Sequence, residues 1–69
     1  MPNDDPLRLA QDHVGTAERL IVEQKARIER LKAKGEDALE AEQTLALFEV
    51  NLNMFREHRD SLLRLNRSG

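Results

Sequence analysis

The sequence predicts an all-α fold: an antiparallel two-helix hairpin, coiled-coil-like, that dimerises into a four-helix bundle. Three observations predict it. Ala, Leu, Glu, Arg, Lys and Gln fill the middle of the chain, while Gly and Pro stand almost entirely where helices should start or stop. Apolar residues recur at alternating spacings of three and four through two long segments. The break between those segments is so short that the second helix must return beside the first.

The elements follow in order. Residues 1–5 are expected to form a disordered lead-in. Asp5-Pro6 is a helix start, because the Asp side chain can accept from free first-turn donors and Pro at the first helical position loses no needed hydrogen bond. Helix one is predicted over about 6–34, with Gly15 inside it. Lys32 and Lys34 suit the negative end of its dipole, and Gly35 ends it as a left-handed cap. The turn is expected at 35–36. Asp37 with Glu40 resembles a capping box, and helix two is predicted over about 37–66, leaving 67–69 as a frayed tail.

Each helix carries a seven-residue repeat. In helix one it runs through Leu7, Ala10, Val14, Ala17, Ile21, Gln24, Ile28 and Leu31. In helix two it runs through Ala38, Ala41, Leu45, Phe48, Leu52, Phe55, Arg59 and Leu62. The apolar members Val14, Ala17, Ile21, Ile28 and Leu31 are expected to face Leu45, Phe48, Leu52, Phe55 and Leu62 across the hairpin seam. Folding the repeats back around Gly35 sets Lys32 beside Glu42, Lys25 beside Glu49 and Glu18 beside Arg56, all of opposite sign. A shift of one heptad would oppose Glu18 to Glu49.

Helix two has a second apolar stripe: Leu39, Ala46, Leu47, Val50, Met54 and Leu65 lie on the side away from the seam. These six form the expected oligomer interface. Leu20 and Val22 widen the apolar surface of helix one. A chain of 69 residues buries a limited share of its surface, and with no cysteine neither disulfides nor thiolate metal sites can reinforce it. Association is the remaining reinforcement. A homodimer is expected, with an unidentified protein partner as the alternative, docked on the second stripe as on a helix-in-groove ligand.

Composition excludes several classes. Charged residues are 35% of the chain, yet the net charge is only −2, which does not suit a binder driven by release of phosphate counterions. Nucleic acid is therefore not an expected partner. No apolar run approaches the roughly 20 residues of a membrane span. Met1 to Asp5 has acids and no basic segment, so no secretory signal is expected there, and the setting is read as cytoplasmic. Phe48 and Phe55 are the only aromatic residues.

Candidate chemistry is sparse. His13 and His58 are expected on the same flank of the seam, where a pair of imidazoles could hold a metal or respond to pH; zinc needs three or four ligands, and half-exposed polar residues are the plainer reading. Gln24 is read as a polar seam residue that fixes register. Arg59 should face Ala10, packing its stem while its head reaches Asp60 or Asp12. Arg56, Arg59, Arg64 and Arg67 make one end basic, offset by Asp4, Asp5 and Asp12. Weak binding of nucleic acid or another anion through these arginines is a further alternative. Glu36, Asp37, Glu40 and Glu42 are first-turn acids without the alternation of a calcium loop. There is no Gly-rich phosphate loop, no Ser/His/acid set on separate elements and no Glu-x-x-His pair, so no catalytic residue, metal or cofactor is expected.

The runs His13-Val14-Gly15-Thr16-Ala17-Glu18-Arg19, Gln24-Lys25-Ala26-Arg27-Ile28, Gly35-Glu36-Asp37-Ala38, Leu47-Phe48-Glu49 and His58-Arg59-Asp60-Ser61-Leu62-Leu63 form a wider pattern. It resembles small helical-hairpin proteins of bacterial genomes to which no activity is assigned. The resemblance spans His13 to Leu65 and implies a bacterial cytoplasmic setting, with no reaction or ligand.

Overall fold

The structure is a computed structural model that describes residues 5–68. It contains two helices, α1 (Pro6–Ala33) and α2 (Leu39–Ser68), packed antiparallel along their length. Among the described residues there is no strand. The expectations for residues 1–4 and for Gly69 lie outside the described residues.

Helix α1 begins where Asp5 leaves the helical region, at φ −78° and ψ 107°. The Leu7 N–H donates to Asp5 Oδ1 at 3.1 Å, and the Leu9 N–H donates to the Asp5 carbonyl at 3.1 Å. Pro6 fills the next position, where a missing N–H costs nothing. At the other end Gly35 has φ 73°. Its N–H donates to the Lys32 carbonyl at 3.0 Å, and the Glu36 N–H donates to the Leu31 carbonyl at 2.9 Å. This nested pair is a Schellman closure, which satisfies carbonyls that the helix itself leaves open.

Two boundaries differ from the sequence expectation. Helix α2 starts at Leu39 rather than Asp37, because Asp37 serves as a cap from outside the helix: its Oδ1 accepts from the Leu39 N–H at 2.9 Å. The break between helices is therefore longer than 35–36. At the far end α2 continues to Ser68, past the expected stop near Asn66. No Pro or Gly stands between Gly35 and Gly69, and Leu63, Arg64 and Leu65 are good helix formers.

The two glycines in this framework should respond oppositely to alanine. Gly35→Ala forces a side chain into a left-handed position and should cost about 1–2 kcal/mol. Gly15 lies inside α1, and a Cβ added there meets nothing within 4 Å. Gly15→Ala should therefore stabilise the chain by up to about 1 kcal/mol. Urea unfolding at one fixed protein concentration measures both signs; equal signs would contradict the backbone assigned to the turn.

Candidate functional site

The seam is built from small and medium residues. Val14, Ala17, Ile21 and Leu52 form one buried cluster, with Leu45, Phe48 and Phe55 packed partly buried against it. Ile28, Ala38 and Ala41 form a second, flanked by Leu31 and Leu45. Ala10 is buried further along α1, and Leu62 is half-buried on α2. Leu63, which does not belong to the heptad series, is also half-buried. It lies four residues beyond Arg59, and such a pair shares a helix face.

Gln24 lies between the two clusters in sequence and is half-buried. Its amide nitrogen donates to the Ala41 carbonyl at 2.9 Å. A seam polar group needs a partner to offset its lost hydration, and here the partner is the backbone of the opposite helix. The bond forms only when Gln24 and Ala41 lie level, so it favours one axial alignment.

The seam divides the hairpin into two sides of unlike chemistry. Successive helical residues turn by about 100°, so Thr16 and Leu20 fall on one flank of the Ala17/Ile21 stripe and Glu18, Val22 and Lys25 on the other. Asn51 and Phe55 are divided from Glu49, Asn53 and Arg56 about Leu52 in the same way. The first side is an open groove of about 310 Å³, lined by His13, Thr16, Ala17, Leu20, Phe48, Asn51 and Phe55. Among the described residues no Asp, Glu, Lys or Arg lines this groove, but nearer the turn the same flank carries Arg27, Asp37 and Glu40 around a second groove. The second side carries ion pairs. Arg56 Nη2 meets Glu18 Oε2 at 3.2 Å, and Lys32 Nζ meets Glu42 Oε2 at 3.1 Å. Lys25 and Glu49, expected to pair, line a groove together on this side without closing to ion-pair distance.

The outward stripe of α2 has no cover in the hairpin. Leu39, Leu47, Val50, Met54 and Leu65 are all exposed, Leu47 by 64% and Leu65 by 66%, and Ala46 is exposed with them. Leu9, Leu20 and Val22 are exposed on α1. Sequence periodicity marked the outward stripe but missed the groove as a unit. Its signal was the lack of charge at Thr16, Leu20 and Asn51, against the charges at Glu18, Lys25 and Arg56.

The polar candidates are placed as follows. His13 packs against Phe55, with ring centroids 5.3 Å apart and planes inclined at 38°. His58 is exposed, and no hydrogen bond or ring contact joins the two histidines. Among the described residues, no group of three or more His, Cys, Asp or Glu is arranged to hold a metal ion. Arg59 turns to Asp60, with Nη2 and Nε each 3.1 Å from Oδ1. Arg64 Nη2 donates to Ser61 Oγ at 3.2 Å. With Arg56 on Glu18, much of the basic end is already matched. No helix is long and apolar enough to cross a membrane among the described residues. No family model, no curated protein and no solved structure matches the chain.

The ion-paired side supplies a test of alignment. A double-mutant cycle on Glu18 and Arg56 should give a coupling of about 0.2–1 kcal/mol that shrinks as salt is raised, as expected of exposed pairs. The Lys25/Glu49 cycle should give less. A larger coupling for Lys25/Glu49 would mean that the helices are displaced axially from the arrangement described.

Proposed function

We propose that the protein works by self-association, as a small non-enzymatic adaptor or regulator that presents helix faces from a homodimer. The observation that carries this reading is the amount of large apolar side chain left in water. Leu9, Leu20, Val22, Leu39, Leu47, Val50, Met54 and Leu65 are all exposed in the hairpin. Large apolar side chains exposed in this number favour association, because leaving them wet forgoes about 25 cal/mol per Å². The interior offers little to compensate: among the described residues, four of the eight that are buried are alanines.

The six residues Leu39, Ala46, Leu47, Val50, Met54 and Leu65 belong to the surface available to a partner. A four-helix bundle, a bacterial origin and a cytoplasmic setting are parts of the same proposal. A larger protein docking on this surface is the competing arrangement, and solution mass separates the two.

Light scattering after gel filtration should return about twice the 7.9 kDa chain mass at micromolar concentration. The melting temperature should rise with protein concentration, since dimerisation stabilises the folded chain by mass action. A monomeric mass with a sharp melt independent of concentration would overturn self-association and leave the apolar surface for a foreign partner.

A further inference from the structure

The outward stripe of α2 lies opposite the seam. Two hairpins joined there would make a flat row with one helix from each copy at the contact. A four-helix bundle instead needs a side to which both helices contribute. The hairpin has two such sides: the ion-paired side, and the groove side, which is uncharged around Leu20, Phe48, Asn51 and Phe55 and carries Arg27, Asp37 and Glu40 only nearer the turn. We infer that a second copy of this chain docks on the groove side, centred on Leu20, Phe48 and Phe55, so that the hairpins stack face to face. This inference rests on the self-association proposed above.

Charge argues for that side, and for a copy of the same chain. At a twofold contact, residues near the axis meet their own counterparts, so a charge there meets a like charge. The groove lining contains no Asp, Glu, Lys or Arg and tolerates this meeting. The opposite side presents Glu18, Lys25, Glu49 and Arg56 within one groove. Covering it would strip water from the Glu18–Arg56 pair, which costs more than the pair returns unless its geometry is excellent.

Composition and area agree. Phe48 and Phe55, the only aromatic residues of the chain, both line the groove and are both half-buried. Aromatic anchors of this kind dominate interface energetics. Leu47 and Met54 lie four residues before and three residues after Asn51, so they border the same side and would be covered with it. Leu20, 41% exposed, offers a projecting side chain, and the groove of about 310 Å³ offers the recess for its counterpart. The chain exposes 5364 Å². A compact monomer of this mass exposes about 4,400 Å². The excess of about 1,000 Å² follows from the elongated shape, 54 × 21 × 13 Å, and stacking a second copy on the groove side would reduce it.

Two sets of variants test the placement. Leu20→Glu puts a charge on the groove side, Val22→Glu on the ion-paired side and Val50→Glu on the outward stripe. Sedimentation should show a dissociation constant raised at least tenfold for Leu20→Glu, with the other two close to wild type. Independently, because the chain has no cysteine, Asn51→Cys and Asn53→Cys each introduce a single thiol. Asn51 lines the groove and Asn53 the opposite side, and both are exposed in the hairpin. Alkylation of the Asn51→Cys thiol should be slowed at least tenfold at dimer concentrations and recover on dilution, while the Asn53→Cys thiol reacts fast throughout. The thiol measurement decides the matter even where Leu20→Glu loses helicity. A dimeric wild type with an unprotected Asn51→Cys thiol, and with dissociation by Val50→Glu alone, would overturn the groove placement and leave self-association intact. A monomeric wild type would overturn both.

Discussion

Antiparallel helices joined by a short break have two freedoms, the axial offset between them and the rotation of each about its own axis. The turn at Gly35 removes most of both. Its left-handed backbone lets the Gly35 and Glu36 N–H groups reach back to Lys32 and Leu31, so the chain leaves α1 in one fixed direction. Asp37 then starts α2 by capping Leu39. Helices are stiff rods rising about 1.5 Å per residue, so an alignment set at the turn propagates to the far end. Glu18 and Arg56, far from the turn along each helix, still meet at 3.2 Å. Exposed pairs of this kind are too weak to impose an alignment. They report one that the turn and the seam have already set.

The seam explains why two helices come this close and why they bury so little. Ala10, Ala17, Ala38 and Ala41 let the backbones approach, and the larger residues Leu45, Phe48 and Phe55 are covered only in part. A third layer would be needed to finish their burial. The same geometry that makes the hairpin compact across the seam therefore leaves apolar surface on its flanks, and the flanks differ. One carries the ion pairs Glu18–Arg56 and Lys32–Glu42, while the other holds an uncharged groove at Leu20, Phe48 and Phe55 and its charges, Arg27, Asp37 and Glu40, nearer the turn.

Much of this was legible in the sequence. Helix content, the glycine turn and the antiparallel return rest on local chemistry, and each leaves a mark within a few residues. Gly35 can be read because only a residue without a Cβ takes φ 73° at little cost. Asp37 caps α2 as its capping-box spacing suggests, its Oδ1 accepting from the Leu39 N–H. The expected start falls two residues early because it counts the capping residue into the helix it caps. Lys25 and Glu49 were expected to pair on heptad position alone. Spacing gives the neighbour, whereas the final approach of two long side chains depends on rotamers that a sequence does not display. The groove was hidden for another reason: it belongs to neither helix. It exists only once Leu20 is set beside Phe48 and Phe55, and a periodicity read along one helix at a time cannot assemble it.

Gln24 has a kinetic consequence. The buried core is not continuous: Val14, Ala17, Ile21 and Leu52 form one part, Ile28, Ala38 and Ala41 the other, and Leu45 touches both. Gln24 stands between them, tethered to Ala41 by one hydrogen bond. Local opening follows the weakest packing. The half nearest the turn is held by chain connectivity, whereas the half at the start of α1 and the end of α2 is not joined by that turn. Fraying should therefore travel inward from those ends and pause at Gln24, so that amide protons near Ile28 and Ala41 outlast those near Val14 and Phe55. The hairpin behaves as a zipper with a catch partway along its length.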